Sequence, residues 1–279
     1  MTAPWQTWSL ADREREYSPS SVIGGDLTAL LNGYRTDSLD CKRRFPPVAH
    51  AYGSHPDEWL DLYRPTTPPP DGLTLHVFIH GGYWQELSRA ESSFMAAPLV
   101  ERGAAVAVVD YTLAPRASLD LIVDQCVRAV TWCSQQSAAW GTRSDRLIIS
   151  GSSAGAHLAA MVLTRVTLVT GAVLLSGIYD LAPLIGTYIN AAVGITPDQA
   201  ERLSPILHAP ARPVPLVVAD GAIETAAFHA QGDAFAQAWA AHGCPVTRLT
   251  IPGRNHFDVP YDLGDPASTL GRAVAALAE

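Results

Sequence analysis

An α/β fold, with a mostly parallel central sheet and helices on both faces, is what this 279-residue sequence predicts. Three observations lead there. Short, near-continuous Val/Ile/Leu/Ala runs alternate with longer helical patterns, which is how strands buried on both faces read. Two of these runs end in glycine turns, His80-Gly81-Gly82 and Gly151-Ser152-Ser153-Ala154-Gly155. A third ends at Pro252-Gly253, shortly before His256. Right-handed crossovers place all strand C-termini on one sheet edge, so the three features converge.

Taken in order, residues 1–40 are polar and read as irregular apart from a short helix around 9–16. Residues 58–64 alternate like an edge strand, and the Pro/Thr-rich stretch 65–70 reads as a turn. From there the rhythm is strand then helix: a strand over 73–80, a helix over 88–102, a strand over 104–111. An amphipathic helix follows over 119–140, then strands over 146–150 and 171–179. Residues 181–212 interrupt the rhythm with two short helical patterns and no strand between them. An insertion there overhangs the edge that carries the glycine turns, as a small helical cap. Residues 214–219 form the next strand. At 279 residues the whole reads as a single domain, 1–279, with ample chain for a buried core.

The turn at 151–155 has the G-x-S-x-G form of a nucleophile elbow, a strand-to-helix turn that exposes a serine hydroxyl above the sheet. Ser153 occupies the nucleophile register and Ser152 the variable position. The glycines after His80 leave backbone N–H groups free to face a developing oxyanion, and Gly81, Gly82 and Ala154 are the expected donors. His80 itself is expected to hold the turn and transfer no proton. Of nine histidines, only His256 has the right place in the chain order Ser, acid, His. The acid follows the 214–219 strand. Asp220 stands at its end and Glu224 lies further along with one more methylene of reach, and spacing alone does not separate them. Asp258 is a third carboxylate, read as solvated or capping.

Composition bounds the rest. Hydrophobic residues make up 48% and charged residues 16%, a globular and not a disordered balance. A net charge of −8 with no basic stripe argues against a nucleic-acid partner. Cys41, Cys126, Cys133 and Cys244 show no metal spacing. Cys126 and Cys133 stand about 10 Å apart along one helix, too far for a bridge, so packing thiols in a reducing compartment are expected. The charged run Ala11–Glu16 interrupts any N-terminal signal core, and no apolar run is long enough to span a membrane. A cytoplasmic protein is therefore expected. A homodimer is compatible with the sequence, though no feature encodes one.

With His80-Gly81-Gly82-Tyr83-Trp84 and the elbow in hand, the chain resembles the arylformamidase (kynurenine formamidase) branch of the α/β-hydrolase fold. Tyr17-Ser18-Pro19-Ser20, Leu62-Tyr63-Arg64-Pro65, Asp110-Tyr111-Thr112-Leu113-Ala114-Pro115, Ser176-Gly177-Ile178-Tyr179-Asp180-Leu181 and Leu203-Ser204-Pro205 carry the same resemblance, which thus covers most of the chain. It favours Glu224 over Asp220, because in that family the acid shortly precedes a Phe-x-x-Gln segment, here Phe228-His229-Ala230-Gln231. Relatives usually have Asp at that position, so Glu224 is a departure. Ser152 is another, since relatives often carry His, Asp or Glu before the nucleophile. The implied activity is hydrolysis of a small-molecule substrate, N-formyl-kynurenine, through an acyl ester of Ser153, with His256 as base and then acid, and the resemblance implies neither metal nor organic cofactor. An aromatic leaving group needs an apolar slot, and Tyr83, Trp84, Tyr188 and Phe257 are the candidate walls.

Two other readings compete. A carboxylesterase acting on small esters would use the same three residues, and nothing in the sequence excludes it. A catalytically idle hydrolase fold serving as a binding module would be expected to have lost Ser153, His256 or the glycines, and all are present.

Overall fold

The computed structural model describes residues 4–24 and 26–278. Its eight strands are β1 (Val48–Ala51), β2 (Trp59–Tyr63), β3 (Leu73–Ile79), β4 (Ala104–Val109), β5 (Thr142–Ser152), β6 (Gly171–Leu175), β7 (Leu216–Ile223) and β8 (Val246–Asn255). They form one sheet in the order β1-β2-β4-β3-β5-β6-β7-β8. The first two pairings, β1 with β2 and β2 with β4, are antiparallel, and all the others are parallel. The helices are α1 (Leu10–Glu16), α2 (Leu27–Arg44), α3 (Ala96–Glu101), α4 (Leu119–Gln135), α5 (Ser137–Trp140), α6 (Ala154–Leu163), α7 (Asn190–Val193), α8 (Pro197–Arg202), α9 (Ala226–Ala241) and α10 (Thr269–Ala276).

The two-residue period of a strand splits the core into two layers. Leu75, Val77 and Ile79 of β3, with Leu147 and Ile149 of β5 and Leu216 and Val218 of β7, face one cluster. Helices α4, α6 and α9 cover it with residues such as Val123, Leu158 and Trp239. Phe78, Ile148, Val217 and Ala219 face the opposite cluster. There α2, α3 and α10 supply Tyr34, Leu99 and Leu270. Each fully buried side chain of this size contributes about 1.5–3 kcal/mol relative to an exposed one.

Several expectations are corrected. Residues 58–64 contain β2, but it lies inside the sheet and β1 is the edge. β1 shows no buried position, so no alternation signals it. Residues 1–40 are not irregular beyond one helix, since α2 has 18 residues and begins at Leu27. Asp26 caps it by accepting from the Thr28 N–H (2.8 Å). Leu31, Tyr34, Ser38 and Cys41 recur at helical spacing on its inward face, a stripe diluted by one serine and by charged neighbours. The helix expected over 88–102 is only α3, at 96–101. Before it, Ser88 Oγ accepts from the Ala90 N–H (3.1 Å) and Ser93 Oγ donates to Arg89 O (2.7 Å). Hydroxyls that bond the local backbone compete with helical pairing. The helix expected over 119–140 is divided at Gln136 into α4 and α5.

Residues 181–212 contain single 3₁₀ turns at Ala182–Leu184 and Pro205–Leu207, with α7 and α8 between them. The largest correction concerns the last two strands. β7 does not stop at 219 but continues to Ile223, and β8 continues past Pro252-Gly253 to Asn255. The ladder shifts register after Gly221 and then pairs Ile223 with Asn255.

Phe235 of α9 is fully buried, stacked on Tyr179 with ring centroids 4.0 Å apart at 17°. Phe235→Ala is expected to destabilise the protein by about 3–5 kcal/mol, read from chemical denaturation midpoints.

Candidate active site

Ser153 sits between β5 and α6 with φ 57° and ψ −120°, a strained conformation for a residue with a side chain. Close packing holds it there. A Cβ added at Gly151 would lie 2.2 Å from Gly155 O, and one at Gly155 would lie 2.0 Å from Ile79 O. Only glycine lets the start of α6 approach β5 and β3 this closely. The Ser153 N–H donates to Leu175 O (2.8 Å), tying the turn to β6.

Beside it, β3 ends level with Gly151 through the Ile79–Gly151 pairing. Gly82 adopts φ 93°, and its carbonyl accepts from the N–H groups of Gln85 (2.9 Å) and Glu86 (3.0 Å). Among the described residues the N–H groups of Gly81, Gly82 and Ala154 donate to no protein acceptor. His80 is buried and stacked on Tyr111, with centroids 4.4 Å apart at 13°. Its Nδ1 donates to Gly81 O (2.9 Å), and Nε2 lies 3.8 Å from Asp110 Oδ1. Asp110 in turn accepts from Arg89, whose Nε also donates to Asp61 (3.0 Å). Burial lowers the His80 pKa, with Asp110 opposing the shift.

His256 follows β8 directly. Its Nδ1 donates to Glu224 Oε2 (2.8 Å), while the other oxygen, Oε1, accepts from Ser176 Oγ (2.6 Å) and the Gly221 N–H (2.7 Å). Phe228 meets the imidazole edge-on at 4.5 Å. Asp220 makes no such contact. It lies inside the β7 ladder opposite Thr250, and its Oδ2 bonds Arg248 and His229 Nδ1 (3.0 Å). Asp258 caps the turn by accepting from the Asn255 N–H (2.6 Å). No hydrogen bond joins Ser153 Oγ to His256 Nε2 among the described residues, a contact that commonly tightens only with substrate in place.

Ser153 and His256 open onto one cavity of about 270 Å³. Of the four side chains proposed from the sequence as walls, Tyr83, Tyr188 and Phe257 line it. Trp84 does not. It is fully buried behind the turn, where its Nε1 donates to His157 Nδ1 (3.2 Å) and His157 Nε2 donates to Leu203 O (2.7 Å). An indole N–H buried this deeply needs an acceptor, and His157 supplies it away from the cavity. The sequence also left walls unassigned: Leu27, Leu31 and Tyr34 of α2, together with Phe94. Tyr34 stacks on Phe94 (4.3 Å, 21°), and its hydroxyl donates to Phe257 O. Their signal was the inward stripe of α2. Ser176, which supports Glu224, was legible only as the first residue of the Ser176–Leu181 segment that carries the family resemblance, with no role assigned to it.

Among the described residues no group of three His, Cys, Asp or Glu side chains stands close enough to hold a metal ion. No helix among them is long and apolar enough to cross a membrane.

Comparison with known proteins bears on the fold and the family. The BD-FAE family model matches residues 60–170. A structure from Silicibacter sp., provisionally described as a thioesterase, superposes with a TM-score of 0.81 at 26% identity, covering 94% of this chain and 98% of that one. A hyperthermophilic esterase from Pyrobaculum calidifontis superposes with a TM-score of 0.71 at 19% identity, over 91% of this chain and 92% of that one. The fold is therefore the α/β-hydrolase fold. The kynurenine formamidase of Salmo salar is 35% identical over 94% of both chains.

The chain belongs to the kynurenine formamidase family. It is a hydrolase, and in this family member the His80–Trp84 turn is braced by a buried histidine. Desolvation lowers the His157 pKa to about 4, and that of His76, bonded to Ser150 Oγ (2.5 Å), also to about 4. Both values lie below the ordinary histidine pKa of about 6.5, so the unfolded chain binds the extra protons first. The stability they contribute is full above about pH 6.5 and is lost as pH falls toward 4. Urea midpoints of the family member are expected to fall between pH 7 and 4.5, and His157→Gln is expected to make that slope shallower by about one proton. An unchanged slope would show that His157 is not buried neutral.

Proposed function

We propose that this protein hydrolyses N-formyl-kynurenine, or a closely similar aryl formamide, through a formyl ester of Ser153. The observation that carries the reading is the Glu224–His256 hydrogen bond of 2.8 Å beside the Ser153 elbow, at one cavity, in a member of this family. In the first half-reaction Ser153 Oγ attacks the formyl carbon and its proton passes to His256 Nε2. The tetrahedral oxyanion accepts from the N–H groups of Gly81, Gly82 and Ala154, each donor typically worth about 3–4 kcal/mol in the transition state. Collapse breaks the C–N bond as His256 protonates the departing aniline nitrogen. Water then attacks the formyl ester with His256 as base, and formate leaves with Ser153 restored. Glu224 stays ionised and holds the tautomer with its proton on Nδ1.

Residues 181–212 act as a cap together with the segment at 18–20. Tyr188 and Ile189 from the one and Ser18, Pro19 and Ser20 from the other line the cavity, and Tyr188 OH is bonded to Ser18 Oγ (2.9 Å). Esters share the acyl-enzyme route, so a carboxylesterase is the second reading. The two part at the poorer nitrogen leaving group, which depends on protonation by His256.

For N-formyl-kynurenine, kcat/KM is expected at or above about 10⁴ M⁻¹s⁻¹, the low end of ordinary enzyme efficiency, and Ser153→Ala is expected to abolish it. Turnover of a short-chain p-nitrophenyl ester alone would leave the serine chemistry standing and remove the formamide assignment. Glu224→Gln is expected to lower kcat by roughly 10⁴-fold through the wrong tautomer. Asp220→Asn, whose carboxylate bonds Arg248 and His229 and not His256, is expected to lower stability and change kcat by no more than a few-fold. Reversed effects of these two variants would exchange the roles of the carboxylates.

A further inference from the structure

The turn that carries Gly81 and Gly82 has little of its own to hold it. Both glycines lack the Cβ that restricts other residues. Gly82, Tyr83 and Trp84 all have positive φ, at 93°, 48° and 61°. For Tyr83 and Trp84 such values cost energy and persist only where the surroundings impose them. The turn therefore needs bracing from outside if its N–H groups are to keep one direction.

Two stacked rings, His80 and Tyr111, supply that bracing. The peptides joining His80 to Gly81 and Gly81 to Gly82 are trans, so each carbonyl points opposite to the N–H of the residue after it. Tyr111 OH donates to His80 O (3.0 Å), the carbonyl of the peptide that carries the Gly81 N–H. His80 O is the nearest acceptor to this hydroxyl, with Gly81 O and His80 Nδ1 each at 3.3 Å. His80 Nδ1 donates to Gly81 O (2.9 Å), the carbonyl of the peptide that carries the Gly82 N–H. Neither N–H has a protein acceptor among the described residues, and both glycines line the cavity. A hydrogen bond at such a carbonyl fixes the peptide plane and polarises the N–H on its far side.

Tyr111 is itself held in place. It is buried, and desolvation raises its pKa well above the ordinary value, which keeps the phenol protonated and a donor. Asp110 O accepts from Tyr52 OH (2.6 Å), and the Thr112 N–H donates to Gln125 Oε1 (2.8 Å), so both chain neighbours are pinned. The same loop reaches the turn again where the Ala114 N–H donates to Trp84 O (2.8 Å).

We propose that Tyr111 is a positioning residue for the oxyanion hole, its hydroxyl holding the His80–Gly81 peptide so that the Gly81 N–H faces the developing oxyanion. Tyr111 touches no reacting atom and acts only through that peptide. The proposal rests on the acyl-transfer reading for Ser153 and not on which acyl compound is the substrate.

Tyr111→Phe keeps the ring and removes only the hydroxyl. On whichever of N-formyl-kynurenine and p-nitrophenyl acetate the wild type hydrolyses, this variant is expected to lower kcat by about 3- to 10-fold, the range of one neutral hydrogen bond, with KM unchanged. A trifluoromethyl ketone, trifluoroacetophenone, tests the oxyanion directly. Ser153 Oγ adds to the ketone carbon, the serine proton passes to His256, and the ketone oxygen takes the negative charge. The Kd of this adduct, read by fluorine NMR, is expected to rise by the same factor as kcat falls. Tyr52→Phe also takes a buried hydroxyl from a backbone carbonyl, and is expected to lower Tm while leaving kcat, KM and the adduct Kd unchanged. A Tyr111→Phe protein that loses only Tm, a rise in KM at unchanged kcat, or an equal kcat loss in Tyr52→Phe overturns the proposal. Turnover of neither compound, or an adduct that persists in Ser153→Ala, overturns the serine reading and the proposal with it.

Discussion

The pairing of β7 with β8 beyond Gly221 is the constraint on which the site depends. A Cβ at Gly221 would lie 2.4 Å from Arg254 O, so the two backbones approach this closely only across glycine. The ladder then shifts and re-forms at Ile223–Asn255. The next residue on each strand is Glu224 on one and His256 on the other. Two side chains distant in sequence thus leave the sheet side by side, and the Gly221 N–H itself donates to the Glu224 carboxylate (2.7 Å). With Ser176 Oγ as a second donor, the carboxylate is buried yet fully hydrogen-bonded, which makes its charge tolerable there.

The serine side of the site is held by a second close approach. Gly155 sits against the Ile79 carbonyl, and that contact sets the start of α6 against the end of β3. The same contact sets Ala154, the first residue of α6, beside the turn that carries Gly81 and Gly82. Buried hydrogen bonds then fix the turn from behind, through Trp84, His157 and the Leu203 carbonyl. Because Leu203 belongs to the segment between β6 and β7, the bracing joins the sheet, the helix of the elbow and that segment in one network. Cutting any link strands a buried donor or acceptor, so the arrangement is cooperative and not a sum of pairs.

The cavity walls come from the part of the chain that looked least structured. Helix α2 brings Leu27, Leu31 and Tyr34 against Phe94 and Phe257. An apolar enclosure excludes water from the reacting groups and strengthens the electrostatic interactions among them.

The local features were legible in the sequence because each is a contiguous pattern. The apolar runs of β3, β4, β5 and β6, the elbow around Ser153 and the glycine turn after His80 require only neighbouring residues to be recognised. Their convergence on one edge followed from the handedness of strand–helix–strand connections. Spacing left the acid open between Asp220 and Glu224, and the family resemblance favoured Glu224. What the tertiary structure decided is where β7 ends, since a strand continues as long as a neighbour accepts its hydrogen bonds, and that neighbour, β8, is distant in sequence. It likewise buried Trp84, because the acceptor for its N–H is on another element. It also made α2 a wall of the cavity, since its short apolar stripe acquires meaning only against Phe94 and Phe257. Patterns within a segment were written in the sequence, whereas register, burial direction and partnership between segments depend on which backbones approach closely enough to pair.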